Sequence, residues 1–462
     1  MTSKISNRKA AILGTTLAAI STVASADEPS MKEVLSQYLA VPGATVTMPV
    51  SAAKTGFSHY FADAAHKSFN NFHYQMGGDH ALYYNARLSE LLPVALADPA
   101  PQSKKLDVAI DERIGKVTFD TKTSGKIALD DYVVHPNHRV QGVMMIHKGK
   151  IVYQQYPGMN PSDTHVWMSA AKATVGLVIA QLVDEGKVDL EASIVTYVTE
   201  LKGSNWDQVS VKDALNMSTG LQLEETLESI LDPESIIVRF FSAEFGAPAP
   251  GKDKVEAWLD VVKQAEKIAG EEPGQVNRYS SATTTVLNYM AEKIENKPWI
   301  DIFEQRVWGK LGADKAIQFN LTPEGTAVSH GLVSTTLEDM AKFGTLFTPS
   351  WKAVSDQQVV TAQVMKLMYD NANPTEVFEK GGKYAGLVSD FVNAPKTNTF
   401  QFDAMFADGA LYKHGNLAQG IYIDPKRDFV GVYFSTNPYI APYGEDKMAG
   451  FLREAAKVVA GE

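Results

Sequence analysis

The chain has 462 residues and no cysteine, and its 54 acidic side chains outnumber 43 basic ones, a formal charge of −11. The missing cysteines exclude disulfides, a thiolate metal site and a cysteine nucleophile. A domain this long needs no such staples, because its buried fraction is already high. The acidic balance disfavours nucleic acid and anionic membrane as partners.

Residues 1–26 read as a secretory signal: a basic start at Lys4, Arg8 and Lys9, a small and apolar stretch from Ala10 to Val23, and the cleavage pattern Ala24-Ser25-Ala26. Its removal deletes three positive charges and no negative ones, taking the formal charge to −14. The stretch is too short and too rich in Ala, Thr and Ser for a spanning helix, and no cysteine follows to carry a lipid. A secreted or periplasmic protein without a membrane anchor is expected. Residues 27–125 are mixed and poorly periodic, broken by Asp98-Pro99-Ala100-Pro101, and are expected to form an N-terminal extension packed on a main domain of residues 126–462. His59, His66, His73 and His80 recur every seven residues. Residues seven apart on a helix stand about 10 Å apart along its axis, too far to share one ion, so no metal is expected.

From Gln141 the pattern sharpens. Gly142-Val143-Met144-Met145-Ile146 and Ile151-Val152-Tyr153 flank a glycine-bearing turn and predict a hairpin. A helix follows Ser169, with apolar residues at 175, 178, 179 and 182, and Gly186 is placed to close it. Lys212 to Met217 reads as a helix ending at Ser218-Thr219-Gly220. Leu221 to about Gly274 is a long acidic insertion of the kind that shapes a pocket, its acids expected on a solvated face. Thr283 to Glu295 is an amphipathic helix. Ala410 to Gly420 is expected on a sheet edge before a second hairpin, whose strands are Gly420-Ile421-Tyr422-Ile423 and Phe429 to Phe434, and Glu445 to Ala460 forms a closing helix. Strands at both chain ends around many helices predict an α/β chain of the α+β kind: an antiparallel sheet flanked by helices, plus an all-helical region.

Ser169-Ala170-Ala171-Lys172 carries the chemistry. Positions three apart share a helix face, so Lys172 stands one turn from Ser169. At a helix start, unpaired backbone N–H groups and the positive dipole end favour a developing oxyanion. A lysine in a dry pocket can be neutral and so accept the hydroxyl proton. Ser-x-x-Lys alone recurs by chance as a helix cap beside a solvated lysine, so the surrounding blocks decide its meaning.

Those blocks are Tyr279-Ser280-Ser281 before a helix, Lys413-His414-Gly415-Asn416-Leu417 before the last hairpin, and Gly325-Thr326-Ala327 leading to Leu337-x-Asp339. With Ser169 and Lys172, and with Ser218-Thr219-Gly220-Leu221 between, they resemble the serine β-lactamase and penicillin-recognising family. The likeness is to its class C, D-alanyl-D-alanine carboxypeptidase and esterase branch, and most of all to 6-aminohexanoate-dimer hydrolases. It spans roughly residues 140 to 455, and Phe69-Asn70-Asn71-Phe72-His73 in the extension is similar to a segment of those relatives.

The resemblance implies a β-lactamase/transpeptidase-like fold and an acyl-enzyme on Ser169, with Lys172 and Tyr279 moving protons and no metal or organic cofactor. It also implies an oxyanion hole from the N–H groups of Ser169 and Leu417. The family's third motif, Lys/His-Thr/Ser-Gly, aligns with His414-Gly415-Asn416, the alternative register being Lys413-His414-Gly415. Ser281 stands where β-lactamases carry an asparagine, and neither register keeps the hydroxyl, so both departures point away from penicillin recognition. His330 is expected to be structural. The implied substrate is a small ester or amide, 6-aminohexanoate oligomers being the specific guess; a D-alanyl-D-alanine carboxypeptidase, a β-lactamase and a non-catalytic penicillin-binding-like receptor are the alternatives.

Overall fold

Strand Val140–His147 is buried at every position but its last. A strand hidden on both faces belongs in the middle of a sheet covered on both sides. It lies there, antiparallel to Lys150–Gln155 on one side and to Phe429–Ser435 on the other. The computed structural model describes Ala40 and residues 42–438 and 443–462; the predicted signal at 1–26 lies outside the described residues.

The main sheet has eight strands in the order Thr397–Thr399, Phe402–Met405, Leu411–Gly415, Gln419–Asp424, Phe429–Ser435, Val140–His147, Lys150–Gln155 and Asp107–Val108. All pairs are antiparallel except the last, where Asp107–Val108 from the extension runs parallel to Lys150–Gln155. Both predicted hairpins form. The first turns at Lys148 and Gly149, both at positive φ (50° and 71°), the conformation a tight two-residue hairpin demands. Helix Leu337–Thr345 covers one face of the sheet and Met448–Ala460 the other. Beyond the first face lies the helical region, with Lys172–Asp184, Ile236–Glu244, Ser281–Glu295 and Trp299–Arg306 around one large apolar core.

Leu411–Gly415 is not the expected edge. It pairs with Gln419–Asp424 on one side and Phe402–Met405 on the other. The outer strands are only three and four residues long, Thr397–Thr399 and Phe402–Met405, too short to carry a readable alternation.

The extension, aperiodic in sequence, folds into helices His59–Ser68, Asn71–Met76 and Asp79–Arg87. Side chains of Ser58 and Asn70 cap the first two by accepting backbone N–H groups of Phe61 and His73. The Asp79 carboxylate accepts the N–H groups of Thr47 and Met48, tying down the chain before it. Tyr74, Tyr83 and Tyr84 share one apolar cluster with Val166, Met168, Leu332 and Leu417. The extension is therefore packed directly against the turn that holds Ser169. The spaced histidines are taken up locally, His66 on the Tyr83 hydroxyl and His80 on the Ser68 hydroxyl.

Candidate active site

Ser169 lies in a single 3-10 turn, Met168–Ala171, that feeds helix Lys172–Asp184. Met168 enters that turn at φ 49°, a left-handed conformation that costs a non-glycine residue on the order of 1 kcal/mol or more. The strain is held from three sides. The Trp167 N–H donates to the Val333 carbonyl at 2.7 Å, the indole N–H donates to Thr335 Oγ1 at 2.7 Å, and the Tyr74 hydroxyl meets Met168 Sδ at 3.0 Å. Gly186, at φ 71°, closes the helix as its sequence position suggested.

Lys172 is fully buried, and its Nζ donates to Ser169 Oγ at 3.1 Å, Ser281 Oγ at 2.9 Å and the His330 carbonyl at 2.9 Å. All three acceptors are uncharged. Burial therefore dominates and pushes the ammonium down to about 8, with Glu225, Asp403 and Glu244 pulling it up and Lys383 pulling it further down. A lysine held this way gives up its proton far more readily than an exposed one.

Tyr279, 3% exposed, precedes helix Ser281–Glu295, whose first turn is capped by the Ser280 hydroxyl. Three ammonium groups surround its ring, with Nζ of Lys383, Lys413 and Lys172 at 3.5, 4.8 and 5.0 Å from the centroid. Lys413 Nζ also stands 3.4 Å from the Tyr279 hydroxyl. Behind them Asp403, nearly fully buried, accepts from Lys413 at 2.8 Å through each oxygen and lies 3.1 Å from Lys383. Burial alone would raise this carboxyl, but Lys383 and Lys413 outweigh it and hold it at about 2.

The third motif takes the other register. Side chains alternate across a strand, so Lys413 points to Tyr279 while the His414 ring lies 3.6 Å from Asp446. His414 touches the network through its backbone, the N–H donating to Asp403 and the carbonyl accepting from Lys413 Nζ. The structure thus corrects the preferred alignment: the inward side chain of this motif is Lys413, and His414 faces away. Gly415 is where the strand presses on the Ser169 turn, since a Cβ there would sit 2.5 Å from the Trp167 carbonyl oxygen. The Asn416 amide donates to the Gln75 backbone and side-chain oxygens, locking this loop to the extension. Leu417, at φ 58°, gives its N–H to Asn416 Oδ1 at 3.0 Å, so that donor is already engaged and not aimed at an incoming oxyanion.

A cavity of about 320 Å³, mouth included, opens at Ser169 and Ser281. Its walls are Gln75, Met168, Phe241, Phe245, His330 and Leu332. The acidic insertion thus supplies two aromatic walls, as its length suggested, and the extension supplies Gln75. Most of the insertion's acids are exposed as expected, Glu228, Asp232, Glu234, Asp253, Asp260, Glu266 and Glu272 among them, but Glu225, Glu244 and Glu271 are buried. Glu225 accepts the Ser281 N–H, and Glu244 accepts from Thr285 and pairs with His330 at 2.8 Å. His330 is both structural and a lining residue. Sequence reasoning passed over Gln75, Glu225, Glu244, Lys383 and Asp403 because each lies outside the ordered motifs and far along the chain from Ser169.

The β-lactamase family model matches residues 129–454. The chain belongs to the β-lactamase family. It is similar to the 6-aminohexanoate-dimer hydrolase of Paenarthrobacter ureafaciens, 25% identical over 359 residues, covering 76% of this chain and 84% of that protein. Among solved structures it resembles the "Putative 6-aminohexanoate-dimer hydrolase from Bacillus anthracis" with a TM-score of 0.65 at 19% identity, covering 82% of this chain and 93% of that one. It also resembles EstCE1, a hydrolase with promiscuous acyltransferase activity, with a TM-score of 0.50 at 15% identity, covering 69% and 94%. The chain is a serine hydrolase of the β-lactamase family with the mixed fold expected from its sequence. Among the described residues no helix is long and apolar enough to cross a membrane.

Proposed function

We propose that the chain hydrolyses a small ester or amide through an acyl-enzyme on Ser169. The observation that carries this reading is the fully buried Lys172, held between Ser169 and Ser281 by uncharged partners. In its neutral form Lys172 takes the Ser169 proton as Oγ bonds to the substrate carbonyl carbon. The carbonyl oxygen becomes the oxyanion, stabilised by the backbone N–H of Ser169; removal of one such donor typically costs about 3 kcal/mol. The bond to the leaving group then breaks, and that group takes a proton through Tyr279. In the second half a water adds to the acyl carbon, its proton leaves by the same relay, and the carbon–Oγ bond breaks as Ser169 regains its proton. Nothing in this cycle calls for a metal or organic cofactor.

The relatives and the departures from the β-lactamase motifs support a substrate class. Similarity to 6-aminohexanoate-dimer hydrolases supports a short linear amide, and the serine at position 281 supports an ester or amide over a β-lactam. The basic start, small-residue stretch and Ala24-Ser25-Ala26 support export to the periplasm or beyond. The test is a panel of p-nitrophenyl esters, nitrocefin and 6-aminohexanoate dimer, followed by mass spectrometry of the trapped enzyme. An acyl adduct on Ser169 with ester or dimer turnover is the expected result. Stable labelling by a fluorescent penicillin, with rapid nitrocefin turnover, would instead favour a carboxypeptidase or β-lactamase.

A further inference from the structure

Lys383 belongs to none of the motifs the sequence marks, yet its ammonium is the nearest of three to the Tyr279 ring. It leaves the first turn of helix Gly382–Asp390 with its side chain only 9% exposed. The start of that helix is pressed onto the extended segment before Tyr279: a Cβ at Gly381 would lie 2.4 Å from the Asn277 carbonyl oxygen, and the Asn277 N–H donates to the carbonyl of Val377 in the preceding helix Thr375–Glu379. Lys383 then shares Asp403 with Lys413. One carboxylate balances one ammonium, and a purely structural ion pair at Asp403 would need only Lys413. The second cation is stacked on the one aromatic ring whose oxygen would change charge during the reaction.

We propose that Lys383 is a positioning residue for Tyr279: held by Asp403 against the ring face, its charge stabilises the phenol oxygen in the state that has given up its proton. The proposal rests on the reading that Tyr279 relays protons. A cation on a neutral ring is favourable, and the same cation beside a phenolate is more so, because a full charge in a poorly screened site replaces a quadrupole. The groups facing Tyr279 are Lys172 from its helix, Lys413 and Asp403 from adjacent strands, Lys383 from its own helix, and Glu225, whose backbone N–H donates to the Tyr279 carbonyl. Neighbouring Arg278 is engaged by Glu224 and Glu271. Lys383 also pushes Lys172 and Lys413 downward, though burial is the larger cause at both. Removing its charge therefore makes the phenol harder to ionise and Lys172 harder to deprotonate, and both effects move the ascending limb of activity to higher pH.

The experiment compares Lys383→Met, which keeps the stem, with Lys383→Arg, which keeps the charge, alone and in a Tyr279→Phe background. Lys383→Gln stands in if the methionine variant does not fold. Activity is read from pH 5 to 10 on p-nitrophenyl butyrate and ethyl butyrate, with thermal unfolding alongside. The expected result for Lys383→Met is a limb raised by about one pH unit, as for loss of one charge at this range, and a kcat on ethyl butyrate lower by about tenfold or more. Lys383→Arg should restore both, and in the Tyr279→Phe background Lys383→Met should cause no further loss of kcat on ethyl butyrate, leaving only the part of the limb shift that acts through Lys172. An unchanged limb with a lower melting temperature would make Lys383 a structural ion pair and overturn the proposal. A raised KM confined to anionic substrates would make it a substrate-binding residue and overturn it equally. If Tyr279→Phe itself keeps wild-type activity, the Tyr279 reading fails and takes this proposal with it. If Tyr279→Phe collapses while Lys383→Met matches wild type, only the Lys383 proposal falls.

Discussion

Lys172 Nζ stands 3.1 Å from Ser169 Oγ, one helical turn away and sealed from solvent. An ammonium in that position has lost its water and gained only neutral acceptors, so its proton is held loosely. The hydroxyl beside it is the group placed to exploit this.

Ser169→Ala should abolish turnover and leave the fold intact, because it removes one hydroxyl from a well-packed turn. The loss should be several orders of magnitude, as for other covalent nucleophiles. Esterase assays with circular dichroism check it; more than trace activity in a folded variant would remove Ser169 as the nucleophile.

Lys172→Ala should lose nearly as much as Ser169→Ala, and the double variant should be no worse than either, since residues acting as a unit are non-additive. Independent, additive losses in kcat/KM would mean that Lys172 acts elsewhere.

With Lys172 at about 8, kcat/KM should rise with pH and level off above that value as the neutral amine accumulates. Stability carries the same sign. The folded chain gives up this proton near pH 8, whereas the unfolded lysine holds it to about 10.4, so the unfolded state binds more protons between the two. Against Lys172→Met, the wild-type chain should therefore gain stability as pH rises through that window. Denaturant melts at pH 7.5 and 9.5 measure it, and a loss across the window would contradict the depressed value.

Tyr279→Phe deletes one oxygen and keeps the ring. A proton relay predicts kcat lower by roughly 10²–10⁴ on an amide, with a smaller loss on p-nitrophenyl esters, whose leaving group needs no proton. Equal losses on both substrates would take Tyr279 out of the acid role.

Gly415→Ala should cost about 1–3 kcal/mol, the usual penalty of overpacking a filled site, because its Cβ would meet the Trp167 carbonyl at 2.5 Å. As Trp167 precedes the strained Met168, the displaced strand should lower kcat as well as the melting temperature. An unchanged melting temperature would show that this contact yields freely.

The sequence by itself marked the Ser169 turn and determined much of the frame. Ser169 and Lys172 are three residues apart, the hairpins are written in alternation and turn residues, and Tyr279 precedes a periodic helix; all are local signals, set by neighbours in the chain. The extension's helices were not legible, because their stability comes from caps at Ser58 and Asn70 and from aromatic packing on the Met168 turn. Nor could the chain alone decide between Lys413 and His414. A shift of one residue exchanges the two faces of a strand, and only pairing with Phe402–Met405 and Gln419–Asp424 determines which side chain meets Tyr279. Asp403, Glu225, Glu244 and Lys383 come from strands, loops and helices scattered over the chain. Their charges count because the fold buries them near enough to act on Lys172, and charge interaction depends on distance in space and on burial, neither of which is written in chain order.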